Sequence, residues 1–123
     1  MIKSSLPSIL SCQEGENDIT WQLFVDENLA YFNGHFEEQA VLPGVTQLDW
    51  AIRLGCEHFD YPVHIANIEV LKFQQLILPN TQVSLHISHN PSKAKLTFSY
   101  QDGDKRYGSG RISFVDLPNK QVG

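Results

Sequence analysis

The sequence predicts a single α+β domain, an antiparallel sheet with one dry face and one long helix that covers it. Residues 19–25 alternate between apolar and polar side chains, which is typical of a strand with one wet face. Residues 44–59 repeat apolar side chains at helical spacing, and the chain after Pro62 alternates again. This order of elements favours an α+β fold, and a chain of 123 residues suffices for one core.

The predicted helix begins at the Pro43-Gly44 step and ends at Phe59, and a Pro-Gly step is typical of a helix start. Trp50 falls nearest the polar side, so we expect its indole to be exposed at a rim or a partner surface. The apolar stripe should contain Val45, Leu48, Ile52, Gly55 and Phe59, opposite Thr46, Arg53 and Glu57.

The second half of the chain predicts four strands, at residues 63–73, 82–88, 93–100 and 105–115. The alternation breaks near Asn67, which indicates a bulge. The Asp102-Gly103 pair is favoured in tight hairpins. Gly108 and Gly110 fall on one face of the last strand and predict the close approach of a bulky group, such as the helix. Residues 1–17 are treated as an N-terminal segment and residues 117–123 as a C-terminal tail.

Composition disfavours several classes of function. A formal net charge of −5 disfavours a nucleic-acid binder, which would usually have a basic surface. No apolar run is long enough to cross a bilayer, and the start of the chain is poor as a secretory signal, so we expect a cytoplasmic protein. Cys56 falls inside the predicted helix, so Cys12 and Cys56 are expected to be free thiols.

The residues that suggest chemistry are concentrated in one segment, residues 31–51. His35 lies in a glycine-flanked loop, Gly44 opens the helix, and Asp49 follows within it. A base, the free N–H groups of a helix start and an acid are what proton transfer beside a carbonyl requires. Each also has an interpretation without chemistry. The histidine could simply be solvated, the glycine could simply mark the start of a helix, and the aspartate could be an ordinary carboxylate on the helix surface. A metal site at His35 is disfavoured because no second histidine follows at ligand spacing.

Three short stretches resemble the active-site segment of the 3-hydroxyacyl-acyl-carrier-protein dehydratases: FNGHF at 32–36, VLPGV at 41–45 and LD at 48–49. His35 and Asp49 have the separation of that family's histidine and carboxylate. IEVLKF at 68–73 and LILPNT at 76–81 are similar to its second strand and the turn that follows, so the resemblance spans residues 20–116. It implies a hot-dog fold, a curled antiparallel sheet wrapped around a central helix, in proteins that work as dimers.

The resemblance implies dehydration of 3-hydroxyacyl thioesters to trans-2-enoyl thioesters in fatty-acid or polyene-type biosynthesis. A neutral imidazole at His35 suits removal of the C2 proton, Asp49 shares a proton with the departing hydroxide, and the Gly44 N–H stabilises charge on the thioester oxygen. His35 of one subunit is expected to face Asp49 of the other. An Asp at this place occurs in the branch that also isomerises its product. We expect the acyl chain to be lined by Phe36, Val45, Leu48 and Trp50.

The resemblance also implies the partners. No metal or cofactor is expected, because the substrate arrives on the phosphopantetheine arm of acyl carrier protein. The carrier and its arm are acidic, so docking needs positive charge, for which Lys72, Arg106 and Arg111 are candidates. The same residues could equally be scattered solubility charges. The protein is expected to be a homodimer or a higher hot-dog assembly.

The chain departs from the family pattern at positions that bear on the acyl chain and on activity. Glu37 and Ala40 stand where prolines are frequent, and Trp50 and Arg53 stand where a small residue and a glutamine are common. Short stand-alone dehydratases of aryl-polyene pathways are similar in this respect. Two other functions stay open, a hot-dog thioesterase and a non-catalytic subunit that partners an active hot-dog dehydratase. Retention of the predicted base and acid favours an enzyme.

Overall fold

The structure of the protein is a computed structural model that describes residues 6–27, 42–61 and 64–115. The predicted base His35, its neighbour Phe36 and the C-terminal tail lie outside these residues. The described residues form one helix and six strands: β1 (Ser8–Glu14), β2 (Asp18–Val25), α1 (Gly44–Phe59), β3 (Ile65–Phe73), β4 (Thr81–Asn90), β5 (Lys95–Asp102) and β6 (Lys105–Phe114).

All six strands belong to one antiparallel sheet, in the order β1-β2-β4-β5-β6-β3. α1 packs against its inner face, and the buried side chains of helix and sheet form one core. The predicted α+β arrangement is confirmed, and a curled sheet around one helix is the hot-dog architecture that the resemblance implies. Within the described ranges, no helix is both long enough and apolar enough to cross a bilayer.

The alternation of β4 and β5 determines which side of the sheet is dry. Leu85 pairs with Tyr100 and Ile87 pairs with Phe98, and all four side chains are buried. Successive residues of a strand point to opposite faces, so this register gathers the apolar side chains of both strands on the helix side. Both strands were predicted from this alternation, and the structure confirms them.

Two local irregularities that the sequence predicts are also present. The register of β3 against β6 slips between Ile65 and Asn67 and again between Ile68 and Val70, which confirms the bulge. The hairpin between β5 and β6 turns through Gly103 at φ 60°, a left-handed conformation that glycine adopts without strain.

The two glycines of β6 allow large side chains to approach the sheet closely. A Cβ on Gly110 would lie 2.6 Å from the Phe98 ring. A Cβ on Gly108 would lie 3.0 Å from Gln47 Oε1 of α1 and 3.0 Å from the Phe73 ring of β3. Close approach was predicted correctly, although the helix supplies only one of these three contacts and neighbouring strands supply the others.

α1 spans the predicted residues, but its buried face is rotated from the predicted one. Val45 is 72% exposed, whereas Trp50, expected at an exposed rim, is fully buried. Apolar side chains occur on several sides of this helix, so their spacing is compatible with more than one buried face. The sequence alone therefore does not determine which face packs against the sheet. Contact with the sheet selects a face that contains Thr46, Gln47, Trp50, Ala51, Ile52, Leu54, Gly55 and Cys56.

β1 is a strand that the sequence pattern does not predict. All seven of its residues are exposed, so neither face is dry and the alternation that marks a half-buried strand is absent. It pairs with β2 at one edge of the sheet, and its register slips between Ile9 and Ser11. Backbone pairing, rather than burial, defines this element.

We expect Gly110→Ala to destabilise the protein by roughly 1–3 kcal/mol, because the added methyl group overpacks the contact with Phe98. The free energy of unfolding would be measured by urea denaturation. Ser109→Ala, on the neighbouring residue of the same strand, is the control and should stay within about 0.5 kcal/mol of the wild type. If Gly110→Ala were as stable as this control, the Phe98 ring would have to move aside at no cost.

Candidate active site

The start of α1 is held in place by backbone hydrogen bonds. The Leu42 N–H donates to the Ile77 carbonyl at 2.8 Å, and both side chains are buried. Pro43 is extended, and its carbonyl accepts the N–H groups of Thr46 and Gln47 at 3.1 and 3.2 Å. These bonds fix the position of the first helical turn relative to the sheet.

The first turn leaves two amide groups available to a ligand. In the described part of the chain, the N–H groups of Gly44 and Val45 have no hydrogen-bond acceptor. Unpaired amides at a helix start, together with the helix dipole, attract negative charge. They are suited to an oxygen that becomes negative during a reaction.

Phe73, the last residue of β3, covers one side of the helix start. A Cβ on Gly44 would lie 2.8 Å from the Phe73 ring, so glycine is what allows this approach. The Phe73 side chain is itself 44% exposed. The helix start therefore lies beside β3, the edge strand of the described sheet, next to an aromatic ring that is partly exposed.

Asp49 lies on α1 about 7.5 Å further along the helix axis than Gly44. Its side chain is 39% exposed, yet Oδ2 is buried and has no hydrogen-bond donor among the described residues. The nearest cation is the Arg53 guanidinium, with a nitrogen 3.5 Å from Oδ2. An ion pair of that length between two partly exposed side chains is weak. Within the described ranges, the carboxylate therefore has one acceptor oxygen without a donor, in the second turn of α1.

Two polar residues at this turn are not singled out by the sequence patterns. Gln47 is 2% exposed, and its Oε1 has no donor among the described residues. The buried Tyr100 hydroxyl donates to the Gln47 carbonyl at 2.6 Å. Burial, and secondly the charge of Asp49, raise the pKa of Tyr100 well above its usual value, so the hydroxyl stays protonated and remains a donor. A non-local bond to a backbone carbonyl leaves no trace in the sequence.

The predicted acyl-lining residues differ in their surroundings. Val45 is exposed beside the helix start, and Leu48 is partly buried against the core. Trp50 has no exposed surface, so the exposed position expected for its indole is wrong, and its place in the acyl lining stays a prediction. Phe36 and His35 lie outside the described residues, and their positions stay predictions.

An apolar strip runs along β3, which is the strand at one edge of the sheet. The residues of this strip pair with Phe114, Ile112, Gly110 and Gly108 of β6 and share the inner face of the sheet with them. Within the described residues, the outer edge of β3 has no strand partner, and an unpaired edge with exposed apolar side chains is typical of surfaces that contact another chain. The strip consists of Ile65, Ile68, Leu71 and Phe73, each between 38% and 44% exposed.

The predicted docking residues divide into paired and unpaired charges. Arg111 lies 3.1 Å from Glu69, which also pairs with Lys95 at 3.0 Å. Lys95 and then Arg111 lower the pKa of Glu69 through their hydrogen bonds and charge. Lys72 and Arg106 are exposed and have no carboxylate partner in the ranges that the structure covers. Among the described residues, positive charge without a carboxylate partner is therefore found at Lys72 and Arg106 rather than at Arg111.

A family model and a curated relative similar in sequence are both described as dehydratases. The ApeI-like family, described as ApeI dehydratase, matches residues 11–111. A 3-hydroxyacyl-[acyl-carrier-protein] dehydratase FabZ of Desulfotalea psychrophila is 27% identical over 104 residues, which are 77% of this chain and 69% of that relative.

Solved structures lead to the same family. The dehydratase heterocomplex ApeI:P from Xenorhabdus doucetiae contains a chain with a TM-score of 0.81 and 29% identity, over 91% of this chain and 100% of that one. An uncharacterized protein from Erwinia carotovora subsp. atroseptica has a TM-score of 0.79 and 34% identity, over 92% of this chain and 98% of that one. Because the family match covers most of the sequence and the solved structures share the fold, the protein belongs to the ApeI-like dehydratase family.

Proposed function

We propose that this protein removes water from 3-hydroxyacyl thioesters on acyl carrier protein and yields trans-2-enoyl thioesters, in fatty-acid or polyene-type biosynthesis. The observation that carries the proposal is the geometry of α1. Its first turn offers the N–H groups of Gly44 and Val45, and its second presents a half-exposed carboxylate, Asp49, with a buried oxygen that lacks a donor among the described residues. Membership of a dehydratase family and the similarity to a FabZ dehydratase support the same reaction.

The proposed reaction divides the proton transfers between a base and an acid. The neutral imidazole of His35 takes the C2 proton as the C2–C3 double bond forms. The Gly44 N–H and the positive end of α1 stabilise the negative charge that develops on the thioester oxygen. The C3–O bond breaks with its electron pair on oxygen, which receives a proton from Asp49 in its carboxylic acid form and leaves as water. Return of the proton from His35 to Asp49 through solvent restores both groups.

We propose that two chains are needed to complete the site, and that His35 of one chain acts on the same substrate as Asp49 of the other. The exposed apolar strip of β3 and its open edge support this, since a second β3 edge can extend the sheet and cover the strip. The proposed assembly is a homodimer. Because the relative from Xenorhabdus doucetiae is a heterocomplex, a different second chain is the alternative partner.

Acyl carrier protein is proposed to dock at the end of β3, because the exposed residues Lys72 and Arg106 lie at the same end of the sheet as Phe73, which contacts the helix start. Lys72 directly precedes Phe73, and Phe73 pairs with Gly108, two residues after Arg106. Positive charge at this place suits an acidic carrier and its phosphopantetheine arm. Arg111 is the weaker docking candidate because a carboxylate already partners it. The proposed reaction uses no cofactor beyond the phosphopantetheine arm and takes place in the cytoplasm.

A non-catalytic subunit is the second candidate function. The heterocomplex formed by the Xenorhabdus doucetiae relative favours it, as do the departures from the family pattern at Glu37 and Ala40. In that role the chain supplies its β3 edge to an active partner. Rates measured with the chain alone and with a co-expressed partner distinguish the two candidates.

Replacing the proposed base by His35→Ala should lower the dehydration rate by about 10²-fold or more, because general base catalysis is lost. Loss of water from a 3-hydroxyacyl carrier protein would be followed by intact mass, with circular dichroism as the check on folding. His64→Ala is the control, since His64 is exposed just before β3 and should not affect the rate.

The same assay separates the competing functions. A His35→Ala protein that dehydrates at the wild-type rate contradicts the proposed reaction. Release of free acid in place of an enoyl thioester indicates a thioesterase. Turnover that requires a different co-expressed chain and survives His35→Ala indicates the non-catalytic subunit.

Asp49→Asn should lower kcat by about 10²-fold while KM changes little, because the amide keeps the size of the side chain but cannot transfer a proton. Steady-state kinetics on the same carrier-bound substrate would measure both constants. Arg53→Gln is the matched control, since it removes the weak ion pair and leaves the carboxylate. Equal kcat values for the Asp49→Asn and wild-type enzymes would rule out Asp49 as the acid.

Leu71→Asp should separate the chains, because a charge in the apolar strip of β3 opposes the burial that pairing requires. Light scattering would give the molar mass, and we expect the variant to be monomeric and inactive. Thr97→Asp places the same charge on an exposed residue of β5, which is not an edge strand. This variant should stay dimeric and active. An active wild-type monomer at assay concentration would refute the two-chain site.

A further inference from the structure

The bond between Tyr100 and Gln47 ties the first turn of α1 to the middle of the sheet. The Tyr100 side chain has no exposed surface, and its hydroxyl lies 2.6 Å from the Gln47 carbonyl oxygen. A helix carbonyl at this position already accepts the N–H four residues later, and its second lone pair can accept the hydroxyl as well. Because the bond is buried, it is stronger than the same contact in water.

Gln47 is a point at which the sheet and the first turn of α1 meet. Its N–H donates to the Pro43 carbonyl, its own carbonyl accepts the Tyr100 hydroxyl, and its side chain rests against Gly108. The Phe73 ring touches both Gly108 and Gly44. Most of these are van der Waals contacts. They prevent the helix from moving closer to the sheet but do not prevent it from sliding along its own axis. The hydroxyl is a directional contact that reaches this turn from the inner face of the sheet.

The position of this bond matters for the proposed chemistry. Gln47 lies three residues after Gly44 and two residues before Asp49 on the same rigid helix. A slide or rotation of the turn at Gln47 therefore moves the helix-start amide and the carboxylate together. Misplacement of reacting groups by about 1 Å can cost on the order of 10²-fold in rate.

We propose that Tyr100 is a positioning residue, whose hydroxyl sets the place of the Gly44 amide and the Asp49 carboxylate through the Gln47 carbonyl. This inference rests on the proposed dehydratase function and adds to it a residue that does not touch substrate. Removal of the hydroxyl leaves the phenyl ring to fill the core, so the fold is kept while the register of the helix start is loosened.

Tyr100→Phe tests the inference in single-turnover dehydration with the enzyme in excess. The rate constant at saturating enzyme describes correctly folded molecules only, so a smaller folded fraction does not lower it. We expect this rate constant to fall about tenfold, and the half-saturating enzyme concentration to stay within about twofold of the wild type. Tyr107→Phe is the matched control. Tyr107 is also buried, but its hydroxyl has no partner in the described ranges, so the wild-type rate constant is expected.

Each outcome bears on the inference. A tenfold lower rate constant for Tyr100→Phe, with Tyr107→Phe unchanged, supports it. A rate constant for Tyr100→Phe equal to that of Tyr107→Phe overturns it and leaves the dehydratase function standing. A change confined to the half-saturating concentration also overturns it, because positioning acts on the chemical step. A wild-type protein that turns over no substrate, alone or with a partner, overturns both the inference and the proposed function.

Discussion

The close contact between α1 and the sheet is the constraint on which the rest of the structure depends. A Cβ on Gly55 would lie 2.9 Å from Leu96 and 3.2 Å from Ile87, so the second half of the helix rests directly on β4 and β5. Contact there holds the C-terminal half of α1 against the sheet. Its first turn is in turn fixed by Pro43 and by the Tyr100 hydroxyl. The proposed active groups of α1 therefore owe their places to the hydrophobic core.

Much of the fold could be predicted because burial leaves a periodic pattern in the sequence. β4 and β5 alternate in both sequence and exposure, and α1 begins and ends at the predicted residues. β1 could not be predicted, since it has no dry face. The orientation of α1 could not be predicted either, because apolar residues on several sides of a helix fit several faces equally well. For this reason Val45, which was expected on the buried face, is exposed, and Trp50, which was expected to be exposed, is buried.

The candidate site could be predicted in part. Gly44 and Asp49 are close in sequence and on one helix, so local spacing was enough to place them on the same element. The contacts of Tyr100 and Phe73 with the helix start join residues that are distant in sequence, and nothing in the pattern of either strand marks them. The pairing of charges likewise depends on the tertiary structure. It shows that Arg111 has a carboxylate partner, whereas Lys72 has none among the described residues.

Both strands at the edges of the described sheet are irregular. The register of β1 slips once, between Ile9 and Ser11, and the register of β3 slips twice. A bulge at a sheet edge interrupts the row of backbone groups to which a further strand would pair. These irregularities would therefore restrict a further strand to short stretches of either edge, which disfavours growth of the sheet into a fibre.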